Sequence, residues 1–364
     1  MKKRILFMIN SLDVGGAEKV LLSYIKALST DNRYIINVMT NKPSTSFIQK
    51  EIAEITNIYI LEEITKNRPK ILRSIFKGLA IKKIIGSNDI IIDFLDADFY
   101  KHIKSFHKPK ITWLHSSYDN LCSRKKNMKS RLFHYDHIVT ICEDMKREVD
   151  ERIPVLSSKV SLIYNPFDFE SIRDKANDIS SLSDEEQQAL SKPFYLSVSR
   201  IDEAHKDFDT LIRSYKNATN KYSITENLII IGDGPDLHNL KKLARDLNIE
   251  KYVIFMGMKE NPYIWMKHSK KFILSSKGEG LPTVLIEALS LDCNIISSDC
   301  KVGPSEILDK GRLGYLFCTG DIETLTTLFL ADKKDYNINL EIEKFTQESS
   351  LKKFHSMIKK YEHI

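Results

Sequence analysis

The feature that most constrains this chain is an alternation of short apolar runs with longer amphipathic segments, sustained through most of its 364 residues and interrupted once. Apolar runs this short read as strands buried on both faces. When helical segments separate them, the outcome is α/β architecture with parallel sheets covered by helices. In the first half the pattern predicts strands at 4–9, 35–40, 90–94, 111–114, 137–141 and 160–164, with a helix over 17–28. Asn165-Pro166 breaks it, and the stretch 178–192 is polar, which places the boundary in that region. The pattern then restarts with strands at 194–198, 227–231, 253–255, 272–275 and 294–297, helices at 207–217 and 237–247, and another helix from Pro282. A last amphipathic helix is expected over 341–361. With 42% hydrophobic residues the chain can fill two domain-sized cores. The expected division is 1–168, 169–345, and a final segment 346–364.

The N-terminal Met1-Lys2-Lys3-Arg4 followed by apolar residues through Ile9 superficially resembles a signal peptide. Asn10, Ser11 and Asp13 end the run too early, so a first buried strand is the better reading. No apolar run approaches the roughly 20 residues that span a bilayer. Cys122, Cys142, Cys293, Cys300 and Cys318 are scattered and form no C-x-x-C pair, which argues against a disulfide framework or a zinc site and for a cytoplasmic protein. The net charge of +6 is unevenly spread, with sixteen Lys or Arg against five Asp between Lys66 and Arg131. Within that stretch Ile71, Leu72, Ile75, Phe76 and Leu79 recur at helical spacing among Lys70, Arg73, Lys77, Lys82 and Lys83. Two readings stand side by side: a surface helix packing its apolar face on its own domain, or an interfacial helix that meets anionic lipid or an anionic acceptor. Regular interleaving of aromatic and basic residues is missing, so nucleic acid is not an expected partner.

The densest chemical signal runs from Ser275 through Lys277-Gly278-Glu279-Gly280-Leu281-Pro282-Thr283-Val284 to Glu287-Ala288. A strand ends, a glycine-bracketed turn follows, and Pro282 sits where a first helical residue belongs. Such a turn aims the unpaired N–H groups of a helix N-terminus at the strand ends, where they favour phosphate. Two carboxylates beside a diphosphate make electrostatic sense only if each accepts hydrogen bonds from neutral hydroxyls, which a nucleotide sugar supplies. Glu279 and Glu287 inside E-G-L-P-T-V-L-I-E-A resemble the E-x7-E motif of glycosyltransferase family 4. Ser297-Ser298-Asp299-Cys300 with Gly303-Pro304-Ser305-Glu306-Ile307 resembles that family's S-D-x-x-G-P-x-E-I stretch.

Other elements extend the resemblance. Arg200, with Lys206 six residues on, follows a strand and is similar to the family's G-R-(x)n-K element, although Ser199 replaces the commoner glycine. A rigid guanidinium fork and an ammonium together neutralise charge on a diphosphate leaving group. Gly15-Gly16-Ala17-Glu18 resembles the N-terminal G-G-x-E loop, and His115 directly after a strand resembles the family's first-domain histidine. Gly232-Asp233-Gly234-Pro235 resembles its G-D-G-P turn, for which no chemistry is expected. Asp96-Ala97-Asp98 matches a D-x-D metal signature by letter, but Arg200, Lys206 and the helix ends already serve the phosphates, so no metal is expected there.

The resemblance implies a GT-B fold of two Rossmann-like domains facing a cleft, with the last helix returning to the first domain. It implies a retaining hexosyltransferase that moves a hexose or N-acetylhexosamine from a UDP-sugar to a glycan or lipid-linked acceptor in bacterial lipopolysaccharide, capsule or related polysaccharide biosynthesis. The scattered cysteines, the cationic phosphate ligands and the basic apolar stripe add the expectation of a metal-independent, cytoplasmic enzyme, peripheral on the inner membrane. Catalytic roles fall to Glu279, His115, Arg200 and Lys206. Donor contacts fall to Gly15, Gly16, Arg200, Lys206, Gly280, Leu281, Pro282, Thr283, Val284 and Glu287. A nucleotide-sugar epimerase shares this architecture and would act without an acceptor. A catalytically silent binding subunit would be marked by loss of Glu279, Arg200 or Lys206, and all three are present. A nicotinamide dehydrogenase is disfavoured because G-x-G-x-x-G is missing.

Overall fold

The computed structural model describes residues 2–180 and 182–361, so Met1, Ser181 and positions 362–364 of the expected final segment lie outside the described residues. The chain divides into two compact units, one formed by Met1–Phe167 with Lys344–Ile364 and the other by Asp168–Glu343.

The first unit is built on a parallel sheet of strands β1 (Lys3–Ile9), β2 (Tyr34–Thr40), β3 (Asn57–Ile60), β4 (Ile90–Asp93), β5 (Lys110–Leu114), β6 (His137–Thr140) and β7 (Val160–Leu162). Their spatial order is β3-β2-β1-β4-β5-β6-β7. Ile5, Leu6, Phe7, Met8 and Ile9 are all fully buried, because β1 lies at the centre with helices on both faces. Ile5 stands in register with Ile36 on one side and Ile90 on the other. The helix Gly16–Ser29 buries Val20, Leu21, Tyr24, Ile25 and Leu28, the 3.6-residue repeat of a core-facing stripe.

The C-terminal helix Gln347–Lys359 belongs to this unit and buries Phe354, Met357 and Ile358. The Phe354 ring centroid lies 5.7 Å from Tyr24 and 6.2 Å from Trp113, and Tyr34 Oη shares a 3.0 Å hydrogen bond with His355 Nδ1. The continuous helix expected over 341–361 is broken. Ile338–Ile342 ends in a 3-10 turn at Glu343–Phe345, and Thr346 caps the final helix by accepting from Ser349 N at 3.2 Å. The break lets Phe167 N donate to Phe345 O and Gln347 N donate to Phe167 O, so the chain's two passages between units lie together.

The second unit holds a parallel sheet of β8 (Phe194–Val198), β9 (Asn227–Ile231), β10 (Val253–Phe255), β11 (Lys271–Leu274), β12 (Ile295–Ser298) and β13 (Tyr315–Phe317), ordered β10-β9-β8-β11-β12-β13. The two-unit split falls at Phe167/Asp168, beside the expected division after 168, and the polar stretch 178–192 lies inside the second unit. It contains the exposed helix Asp184–Leu190, opened by a Ser183/Glu186 capping box, so its polarity reflects exposure.

The basic helix Arg73–Gly86 buries Ile81, Ile84 and Ile85. Of the apolar stripe, Ile71, Leu72, Ile75 and Leu79 are 92%, 41%, 60% and 56% exposed, and Phe76 is half-buried. The helix turns its second apolar set inward, and among the described residues no helix is long and apolar enough to cross a membrane.

Candidate active site

Each sheet has one point where successive connections change direction. In the second unit it lies between β8 and β11, and the crevice outside the strands' C-terminal ends at such a point is where sheets of this kind bind ligands. The loop after β8 carries Arg200 and Lys206, and the loop after β11 carries Glu279, so topology delivers all three to one place. Lys206 and Ser276 form an antiparallel bridge, Asp207 N donates to Ser275 O at 2.9 Å, and Lys277 N donates to His205 O at 2.8 Å. Lys277 Nζ adds a 2.9 Å hydrogen bond to Glu203 O and lies 3.5 Å from Asp207 Oδ1.

Across this seam the Lys206 ammonium donates to Glu279 Oε1, which also accepts from Ser276 Oγ at 2.6 Å. Both side chains are largely buried, at 20% and 11% exposed. Cys300 lies beside them, and burial followed by the Glu279 charge pushes its thiol up to about 12. Arg200 is set apart: its side chain is 72% exposed, 3.8 Å from Asp202 Oδ2. The G-D-G-P turn underlies this loop. Ile201 N donates to Asp233 O, and a Cβ on Gly232, whose φ is +146°, would collide with the Ser199 carbonyl.

Pro282 is the N-cap of the helix Thr283–Ser290, not its first residue as the sequence pattern predicted. With φ −68° and ψ 95° it stops one step short of helical geometry, and no side chain caps this helix. Leu281 and Pro282 turn their side chains inward and offer the crevice only main chain, while Thr283 and Val284 are half-buried. Gly280 is held from behind by Gly303, whose φ is +99° and whose added Cβ would lie 2.5 Å from Gly280 O. Glu287, further along the same helix, accepts from Tyr263 Oη at 3.4 Å. Ser276, Lys277 and Tyr263 were missed by sequence reasoning, since their relevance depends on which loops become neighbours.

In the first unit the change of direction falls between β1 and β4, and the loops after β1, β4 and β5 carry Gly15-Gly16, Asp96 and His115. Gly15 is the N-cap of its helix, with no side-chain cap, and the Glu18 carboxylate folds back over it, so a Cβ there would collide with it. Burial, then the Asp13 charge, raises the Glu18 pKa. His115 N donates to Asp96 Oδ1 at 2.8 Å, and its ring lies 4.9 Å from Phe94. Its Nε2 is buried without a hydrogen-bond partner, and burial pushes the imidazole down to about 4, leaving it neutral near pH 7.

The D-x-D residues have structural partners. Asp96, at φ 56°, is buried and holds the His115 main chain, while Lys125 Nζ donates to Asp96 O at 3.0 Å and to Asp98 Oδ1 at 2.6 Å.

Two successive parallel, doubly wound units with the last helix packed on the first are the architecture of GT-B proteins. Two family models match the chain, Glycosyltransferase Family 4 over residues 14–171 and Glycosyl transferases group 1 over residues 178–346. The chain thus carries one glycosyltransferase domain match in each of its two halves. It is 34% identical over 174 residues to an uncharacterised glycosyltransferase of Methanocaldococcus jannaschii, an alignment covering 48% of this chain and 42% of that protein. It is 27% identical to the N-acetylgalactosamine-N,N'-diacetylbacillosaminyl-diphospho-undecaprenol 4-alpha-N-acetylgalactosaminyltransferase of Campylobacter jejuni, covering 85% of this chain and 84% of that one. Among solved structures, Anabaena HepE in complex with UDP and glucose superposes with a TM-score of 0.78 over 98% of this chain and all of that one, at 16% identity, a likeness of fold alone.

Proposed function

We propose that this glycosyltransferase moves a hexosyl or N-acetylhexosaminyl group from a UDP-sugar to a lipid-linked glycan acceptor, with retention at the anomeric carbon and without a metal, at the cytoplasmic face of the bacterial inner membrane in surface polysaccharide synthesis. The observation that carries this reading is the contact of Lys206 with Glu279 at the crevice of the second sheet, beside the uncapped N-terminus of Thr283–Ser290. A partly buried ammonium next to exposed main-chain donors suits a diphosphate, and a carboxylate at the same point suits sugar hydroxyls. HepE's complex with UDP supports the choice of base, and the Campylobacter enzyme's name supports a diphospho-undecaprenol-linked acceptor.

In this reading Lys206 and Arg200 hold the diphosphate and Glu287 takes a ribose hydroxyl. Glu279 orients the sugar. The acceptor oxygen bonds to the anomeric carbon on the face the phosphate leaves. The carbon–phosphate oxygen bond breaks, and the acceptor's proton passes to the departing β-phosphate oxygen. Each lost charge-stabilising donor should cost about 3 kcal/mol of transition-state stabilisation. The test is a transfer assay with UDP-hexoses and UDP-N-acetylhexosamines on polyprenyl-diphosphate glycans, with the product's anomeric configuration read by NMR. Conversion of the nucleotide sugar without an acceptor would point to an epimerase and overturn the reading, as would an inverted product for its retaining part.

A further inference from the structure

Between Ile64 and Gly86 the chain carries seven Lys or Arg and no Asp or Glu. Of its apolar residues, Ile81, Ile84 and Ile85 lie in the core, Phe76 is half-buried, and Ile64, Ile71, Leu72, Ile75 and Leu79 are between 41% and 92% exposed. Leu72, Ile75 and Leu79 follow the i, i+3, i+7 spacing of one helix face, which Lys82 and Lys83 continue. The preceding turn is held in place. Arg73 donates to Arg68 O at 3.1 Å and to Lys66 O at 2.9 Å, and the Arg68 guanidinium sits 4.5 Å from the Phe76 ring centroid. Ile71, the most exposed large apolar side chain among the described residues, is thus presented at the tip of a fixed corner. The basic surface extends beyond the helix, because His102 is depressed first by burial and then by the charges of Lys77 and Lys101.

We propose that this corner is a membrane-docking wedge: Ile71, Ile75 and Leu79 insert into the headgroup–acyl boundary of an anionic bilayer while Lys70, Lys82 and Lys83 lie among the lipid phosphates. The inference deepens the lipid-linked-acceptor reading by naming the surface and the lipid class. Charge alone would give weak, fully salt-reversible binding. Added apolar insertion gives a component that salt screening does not remove. A second copy of this chain fits the face poorly, since like-charged rims would meet.

The test is co-sedimentation of the full-length chain with vesicles of phosphatidylcholine alone or phosphatidylcholine with phosphatidylglycerol, at low and high salt. Wild type should pellet with the anionic vesicles and keep a salt-resistant fraction. The triple variant Ile71→Ser/Ile75→Ser/Leu79→Ser alters exposed positions only, and should lose at least about tenfold in partitioning. The variant Lys70→Gln/Lys82→Gln/Lys83→Gln should lose the preference for anionic lipid while keeping residual binding. Wild-type partitioning by the serine variant, or equal pelleting of wild type with both lipids at low salt, overturns the proposal. So does a dimer seen by sedimentation velocity that the serine variant abolishes while vesicle binding stays unchanged. Thermal shift of the wild type by UDP-sugars separates the two readings: a shift without binding to anionic vesicles overturns the docking proposal alone, and vesicle binding without a shift counts against the donor site.

Discussion

Lys206 and Glu279 come from loops that leave different strands of one sheet, 73 residues apart in sequence, yet their charged groups meet directly, with Ser276 Oγ on the same carboxylate oxygen. A charge pair this enclosed is held by its surroundings. The Lys206–Ser276 bridge and the Lys277 contacts fix both backbones, so the side chains meet with little entropy left to lose. A diphosphate entering the crevice would compete with Glu279 for the same ammonium.

Glu279→Ala and Lys206→Ala are each expected to lower kcat/KM by about 10²–10³-fold, the usual result of removing one preorganised electrostatic contact. Circular dichroism should be unchanged, because the loops remain tied by main-chain bonds and by Lys277. A transfer rate within a few-fold of wild type in either variant would remove that residue from the site.

Gly303→Ala is expected to cost about 1–3 kcal/mol from backbone strain at φ +99°. With a melting shift of roughly 2–4 °C per kcal/mol for a unit of this size, differential scanning calorimetry should show a loss of several degrees. The methyl would also press on Gly280 O, so the donor KM should rise more than kcat falls. An unchanged melting temperature and donor KM would show that the turn relaxes freely.

Burial holds the His115 imidazole near 4 in the folded chain, below the unfolded value of about 6.5. Between those values the unfolded chain binds more protons, so the stability contribution is complete above about pH 6.5 and is lost as pH falls toward 4. His115→Asn should therefore flatten the dependence of denaturant stability on pH in that window. The wild-type ring should also show no NMR titration between pH 8 and 5. A midpoint near 6.5 for the His115 resonances would contradict the buried, neutral imidazole.

Transfer is expected to survive EDTA under the proposed roles of Lys206, Arg200 and a helix N-terminus in holding the diphosphate. Loss of activity on chelation, restored by Mn²⁺ or Mg²⁺, would reopen the question of a metal and direct attention to Asp96 and Asp98. In the folded chain Lys125 and the His115 main chain engage these two residues.

Much of the architecture was legible because it is written in local period and punctuation. Runs such as that ending in Ile9, buried on both faces, admit little but a central parallel strand, and a glycine-bracketed turn before Pro282 admits little but a helix start. The E-x7-E, G-P-x-E and R-(x)n-K elements could be located because each lies within one strand–loop–helix step, while the roles proposed for their residues rest on the family resemblance. Short edge strands such as β3 and β13 were not legible, since half-buried runs of three or four residues carry no usable period. The break at Glu343–Phe345 was hidden as well, because the amphipathic pattern continues through it and only pairing with Phe167 shows why the helix stops.

Sequence by itself determined two doubly wound units and the motif residues at their strand ends, because hydrophobic periodicity and turn chemistry are properties of neighbours in the chain. Tertiary structure alone decided that Lys206 meets Glu279 through a seam fastened by Ser276 and Lys277, that Asp96 supports His115, and that Ile71, Ile75 and Leu79 face outward. Each of these depends on which loops the sheet order brings together and on which of two apolar faces the core accepts, and burial and long-range contact are not encoded in spacing.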